Sequence, residues 1–82
     1  MKCQYQQRSA DLQVDTDRFE LGQTGQVLVL LSKQLICYAA GSRAIRVTNG
    51  QQKLTLEFDD QEDAYTLFHF INILNGLEFY DM

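Results

Sequence analysis

Hydrophobic and polar residues alternate over the centre of the chain, which is the pattern of an antiparallel sheet with one buried face. Residues 43–48 and 51–58 show this pattern most clearly, on either side of the Asn-Gly dipeptide at 49–50. Asn and Gly tolerate positive φ, so the dipeptide predicts a type I′ hairpin with a two-residue loop, which sets Ile45 opposite Leu54. One face of the hairpin is then predicted to be core, namely Ile45, Val47, Leu54, Leu56 and Phe58, with Arg46, Lys53, Thr55 and Glu57 on the other.

A second hairpin is predicted by the Gly-Ser dipeptide at 41–42, where glycine would take the first position of a two-residue turn. In this register Tyr38 lies opposite Ile45 and Ile36 lies opposite Val47, so both side chains are expected to face the core. The other signals are shorter and predict strands at residues 2–7, 12–14, 18–21 and 27–31, a turn at 22–25, and a turn or bulge at 32–34.

The end of the chain predicts one helix, over about residues 61–75. Asp59 followed three residues later by Glu62 fits a capping box at its start. Gly76 can end the helix in the left-handed conformation, with Leu77 packing back on the last turns. A stripe at helical spacing is expected to cover the sheet, and it consists of Ala64, Leu67, Phe68, Ile71 and Leu74, widened by Phe70.

These elements predict a single α+β domain over residues 1–82: an antiparallel β-meander, small β-sandwich or partly open barrel with one C-terminal capping helix. The run over residues 53–68, KLTLEFDDQEDAYTLF, resembles the end of a PH-like domain. In that superfold a last strand leads through an acidic, helix-capping turn into a C-terminal helix that closes one end of a β-sandwich. The resemblance implies a fold, and a fold of this kind does not assign a function.

The cysteines and the longest apolar stretch indicate the cellular compartment of the protein. Two cysteines, Cys3 and Cys37, are too few and too far apart for the disulfide framework of a small secreted domain, so we expect free thiols. No apolar signal-peptide region begins the sequence, and the apolar stretch over residues 27–40 is broken by polar residues at 32–34. We expect a cytoplasmic soluble protein that does not enter a membrane.

Charge is distributed unevenly along a chain whose formal net charge is −4. Residues 21–56 carry bases and no acid, whereas residues 57–82 carry acids and no lysine or arginine. Either the charges only solubilise the hairpins and cap the helix, or the molecule has a basic hairpin face and an acidic helix end that steer association. The bases of the first segment are Lys33, Arg43, Arg46 and Lys53.

No motif in the sequence predicts catalysis or a bound cofactor. His69 is the one histidine, and no nucleophile motif accompanies it. The acids lack the spacing of a calcium-binding loop, and two cysteines with one histidine do not make a zinc ligand set. We therefore expect a protein that is not an enzyme and that holds neither metal nor cofactor.

Two features favour a protein partner. Tyr65 and Ile73 lie outside the predicted core stripe of the helix and flank His69. The chain then ends in an aromatic segment whose Phe79 and Tyr80 require burial, either on the domain's own sheet or in another subunit. The leading prediction is a small non-enzymatic protein-interaction module with a regulatory or adaptor role, with homodimerisation left open.

The alternative is nucleic-acid or polyanion binding through the basic hairpin face. Lys33, Arg43, Arg46 and Lys53 would supply it, although four bases in an acidic protein make a small electrostatic footprint, so nucleic acid is the less expected partner. The acidic end permits a third function, the inhibition of a nucleic-acid-binding protein by mimicry of DNA charge.

Overall fold

The computed structural model describes residues 1–76, which form an antiparallel sheet of seven strands and one C-terminal helix. The α+β fold class predicted from the sequence is confirmed, and the sheet is open rather than closed into a barrel. The strands and the helix are β1 (Lys2–Tyr5), β2 (Arg8–Val14), β3 (Arg18–Gln23), β4 (Gln26–Leu31), β5 (Ile36–Ala39), β6 (Ala44–Thr48), β7 (Lys53–Glu57) and α1 (Gln61–Leu74).

Two meanders make up the sheet, whose strand order is β4-β3-β2-β1-β7-β6-β5. They join where β1 pairs with β7 through Gln4 opposite Glu57 and Tyr5 opposite Leu56. The two edge strands, β4 and β5, are consecutive in the chain and are connected through a short 3-10 helix, Ser32–Gln34. The two edges of the sheet therefore come together at the 3-10 helix, which forms a corner of the sheet.

One face of the sheet and one side of α1 enclose the hydrophobic core. The helix contacts β5, β6 and the 3-10 helix. Near its C-terminal end, the Asn75 side-chain amide donates to the Ser32 carbonyl (3.1 Å), which ties the helix to the corner of the sheet. The largest hydrophobic side chains with almost no exposure are Leu12, Phe19, Leu35, Val47, Leu56, Leu67 and Ile71.

The hairpin of β6 and β7 has a four-residue loop, so the predicted type I′ turn at 49–50 is wrong. The Asn49 side-chain oxygen accepts hydrogen bonds from the backbone N–H groups of Gln51 (2.9 Å) and Gln52 (2.8 Å), which stabilises the longer loop. Ile45 therefore lies opposite Leu56, not Leu54. This shift of two residues preserves the side-chain alternation, and the predicted core face and outer face are both correct.

The loop between β5 and β6 is one residue longer than predicted, and each side chain of β5 therefore lies on the opposite face of the sheet from the one predicted. The loop holds residues 41–43 instead of two residues, so Tyr38 lies opposite Arg46. Tyr38 and Ile36 are exposed, whereas Cys37 is buried. The expectation that Tyr38 and Ile36 face the core is therefore wrong, because an odd register shift moves every side chain of a strand to the opposite face.

Helix α1 begins at Gln61, as predicted, but its capping residue lies one position later than the predicted capping box. Its N-cap is Asp60, whose carboxylate accepts the backbone N–H of Glu62 (2.9 Å), rather than Asp59. At the other end Gly76 has a φ of 71°, as predicted for a left-handed terminus. Leu77, which was expected to pack back on the helix, lies outside the described residues.

A tight turn that the sequence does not signal connects β1 to β2. Tyr5 pairs with Arg8, and the two loop residues between them, Gln6 and Gln7, have φ values of 55° and 63°. Positive φ at both positions is the geometry of a type I′ turn, which Asn and Gly adopt with less strain than glutamine.

We expect the double variant Gln6→Asn/Gln7→Gly to be more stable than the wild type, by about 1 kcal/mol, because it relieves left-handed strain at two positions. Urea unfolding measures the difference. The matched control is Gln51→Asn/Gln52→Gly, in the four-residue loop, where no positive φ is relieved. Equal stability of the Gln6→Asn/Gln7→Gly variant and the wild type would contradict the turn geometry.

The position of the helix cap gives a second test. Asp60→Ala should lower the free energy of unfolding by about 1 kcal/mol, because the Glu62 N–H loses its acceptor. Asp59→Ala removes a neighbouring acid without removing the cap, so urea unfolding should show a clearly smaller loss. The reverse order of the two losses would place the cap at Asp59.

Candidate protein-interaction surface

One side of α1 carries the exposed residues that the sequence predicted for partner binding. Tyr65 is 52% exposed and Ile73 is 38% exposed, although both belong to a helix whose other side is core. Between them lies His69, whose ring stacks on Tyr65 with 5.9 Å between centroids and forms a T-shaped contact with the Phe68 ring, with 5.5 Å between centroids. Tyr65, His69 and Ile73 recur every four residues, and we name this row the α1 ridge. Phe79 and Tyr80, the other two predicted partner residues, lie outside the described residues.

The edge strands expose further hydrophobic side chains that sequence reasoning missed. Within residues 1–76, every large hydrophobic residue that is exposed on a strand lies on β4 or β5. The signal for β4 is present in the sequence, because five consecutive apolar residues at 27–31 cannot all face one core when side chains alternate. The residues concerned are Val27, Val29 and Leu31 on β4, and Ile36 and Tyr38 on β5.

The four bases predicted to bind a polyanion do not gather on one surface. Arg46 lies on the outer face of β6, where its Nε donates to the Thr55 hydroxyl (3.2 Å) and its guanidinium lies 5.9 Å from the centre of the Tyr38 ring. Lys53 shares that outer face, two residues along β7 from Thr55. Arg43 instead donates to the Asp59 carbonyl at the start of α1 (3.4 Å), and Lys33 lies in the 3-10 helix at the sheet corner.

Two concave features of the surface adjoin α1. An apolar groove of about 440 Å³ runs between β2 and α1 and is lined by Leu12, Val14, Leu67 and Phe70, among others. A smaller cavity of about 60 Å³ separates the end of β5 from Tyr65 and Phe68 on α1. In the part of the chain that the structure describes, no group of three or more His, Cys, Asp or Glu side chains is placed to hold a metal ion.

The two cysteine thiols point into the core, whereas His69 is exposed on α1. Burial raises the pKa of Cys3 to about 11 and that of Cys37 to about 12, from an ordinary value of 9.0. Both thiols are therefore protonated at neutral pH, and the thiolate is the nucleophilic form. The structure does not bring either cysteine and the histidine together as a reactive pair.

Comparison with known proteins adds no relative: no family model matches the chain, and no curated protein or solved structure shows significant similarity to it. Among the described residues, no helix has the length and apolar character needed to cross a membrane.

The buried thiols predict a loss of stability in alkali. In the unfolded chain the thiols ionise above about pH 9, while the folded state keeps them protonated to pH 11 or beyond. The unfolded state therefore binds fewer protons between these values, and the free energy of unfolding falls as the pH rises through that window. At pH 10 the two thiols together should account for about 3 kcal/mol of the loss.

Urea unfolding at pH 8 and pH 10 measures this loss. The Cys3→Ala/Cys37→Ala variant is the control, because it removes the two thiols and leaves every other titratable side chain in place. Its stability should fall by about 3 kcal/mol less than that of the wild type. An equal fall in both proteins would show that the thiols are not shielded from solvent.

Proposed function

We propose that this chain is a small non-enzymatic protein-interaction module that binds another protein through the α1 ridge. The observation that carries the proposal is the exposure of Tyr65 and Ile73, two large hydrophobic side chains in one row of α1. The two residues are eight positions apart, which is about 12 Å along a helix. Single exposed hydrophobic residues are normal on a protein surface. Two such side chains in one row form a larger feature, which is typical of a contact site.

The chemistry of the α1 ridge suits a protein better than a small molecule. It is the convex side of a helix, and binding sites for small molecules are usually concave. Tyrosine is enriched at the centres of protein interfaces, where its ring supplies contact area and its hydroxyl a hydrogen bond. The N-terminal turn of α1 adds Glu62 beside the ridge. A complementary partner would present an apolar patch with a basic residue at one end.

We also infer that the domain belongs to the PH-like superfold, within which it would act as an adaptor or regulatory subunit. The inference is supported by the order of elements: seven antiparallel strands in two meanders, followed by an acidic cap and a C-terminal helix that lies over the core. The adaptor role follows from the α1 ridge and not from the fold, because folds of this kind carry many functions.

Affinity capture with matched variants tests the function. The wild-type chain, the Tyr65→Ala/Ile73→Ala variant and a Ser9→Ala control would be used as bait in cells that produce the protein. The recovery of a specific partner should fall at least tenfold with the double variant and remain unchanged with the control, which alters an exposed residue of β2. Equal recovery by all three folded proteins would exclude the α1 ridge as the binding surface.

A further inference from the structure

The outer side chains of β4 are apolar although this strand is an edge of the sheet. Val27 is 62% exposed, Val29 45% and Leu31 56%. Edge strands are normally protected by charge, proline or a bulge. Residues 21–32 hold no charged residue and no proline, and β4 pairs with β3 without interruption from Gln26 to Leu31. In the region covered by residues 1–76, the other side of β4 pairs with no strand.

The backbone groups of the same three residues point toward the free edge. In an antiparallel ladder, the residues that bond to one neighbour alternate with those that point away from it. Ser32 donates its backbone N–H to the Asp17 carbonyl (3.1 Å), at the end of the ladder between β3 and β4. The even-numbered residues of β4 therefore bond to β3, and the N–H and C=O groups of Val27, Val29 and Leu31 remain available for another strand.

We propose that β4 pairs with β4 of a second copy of this chain, antiparallel, about a two-fold axis at Val29. The two sheets then continue into one. Val29 lies opposite Val29 of the second copy and Val27 lies opposite Leu31, and these are the residues with available backbone groups. Each pair exchanges both of its hydrogen bonds.

This register is self-complementary on both faces of the strand. On the outer face, valine and leucine meet valine and leucine. On the inner face, Leu28 lies opposite Leu30 of the second copy, so apolar side chains are again neighbours. A two-fold axis requires that one surface match itself. Two identical antiparallel strands meet this requirement in any register, and the register about Val29 is the one that pairs all three residues with available backbone groups.

Charge does not oppose the pairing. The nearest charged residue after β4 is Lys33, which would lie beyond the paired segment, opposite Gly25 of the second copy. The two Lys33 residues would then be separated by about eight residues of strand, or about 26 Å. This distance is several times the Debye length of about 8 Å at physiological ionic strength, so their repulsion is screened.

The size of the contact predicts a reversible dimer. A valine or leucine side chain holds on the order of 100 Å² of apolar surface, and the three outer side chains are about half exposed. Each copy therefore contributes on the order of 150 Å² of apolar surface, far below the roughly 800 Å² per partner of a standard interface. We expect a dissociation constant in the micromolar range or weaker, with backbone hydrogen bonds supplying the specificity.

Sedimentation equilibrium of the full 82-residue chain, from about 10 µM to about 1 mM, tests the proposal. The average mass should rise from that of one chain toward that of two. Val29→Lys should stay at the mass of one chain throughout, because two lysines would meet at the two-fold axis. Ser9→Lys adds the same charge on the exposed face of a central strand and should dimerise like the wild type. Thermal unfolding would verify that all three proteins are folded.

Cysteine cross-linking tests the register. Under mild oxidation Val29→Cys should form a covalent dimer, because a hydrogen-bonded pair places its Cα atoms about 5.5 Å apart, within the range of a disulfide. Val27→Cys should not, since Val27 faces Leu31 of the second copy. The native Cys3 and Cys37 are buried and do not compete.

Three outcomes would overturn the proposal: a wild-type chain that stays monomeric at 1 mM, a Val29→Lys variant that dimerises, or Val27→Cys cross-linking as readily as Val29→Cys. The result is independent of partner binding, because Tyr65→Ala/Ile73→Ala leaves β4 unchanged and should dimerise normally. Dimerisation lost in that variant but kept in Val29→Lys would place the contact on α1 and reject the β4 pairing.

Discussion

Each strand of this domain has one face in a single core, so the number of residues in each loop decides which side chains are buried. Two-residue loops connect β1 to β2 and β3 to β4, three residues connect β5 to β6, and four connect β6 to β7. Adding one residue to any of these loops would move a row of leucines and valines to the surface. The loop of Gln6 and Gln7 has an even number of residues, which places Cys3 and Leu12 on the same buried face, and both glutamines take left-handed φ values in it.

The same constraint explains which features could be predicted from the sequence. The buried faces of β6 and β7 were predicted correctly although their loop was not, because an error of two residues preserves the alternation. The faces of β5 were predicted wrongly because a single extra loop residue, Arg43, reverses them. The helix was predicted closely, since its spacing and caps are local. The turn at Gln6 and Gln7 has no local signal, because the surrounding sheet rather than glutamine's own preference imposes the left-handed conformation.

The candidate surface was only partly predictable, for a related reason. Tyr65 and Ile73 could be found from a helical wheel, which needs only the sequence of one helix. The significance of Val27, Val29 and Leu31 depends on strand order, since the backbone groups of a central strand would be paired on both sides. Only when β4 is known to be an edge, with its odd-numbered backbone groups unpaired, does its apolar outer face become unusual. Strand order is set by long-range contacts, and the hairpins alone leave it open.

The two proposed contacts lie on different elements of the domain, β4 and α1. The proposed β4 pairing uses Val27, Val29 and Leu31, whereas the α1 ridge consists of side chains of the helix. A two-fold dimer would therefore present two α1 ridges in a fixed relation. A partner that is itself dimeric or repetitive could engage both, and the second contact would then form at a high effective concentration. A small apolar patch on a small domain can bind usefully in this way, because a weak reversible dimer converts two modest contacts into one of higher avidity.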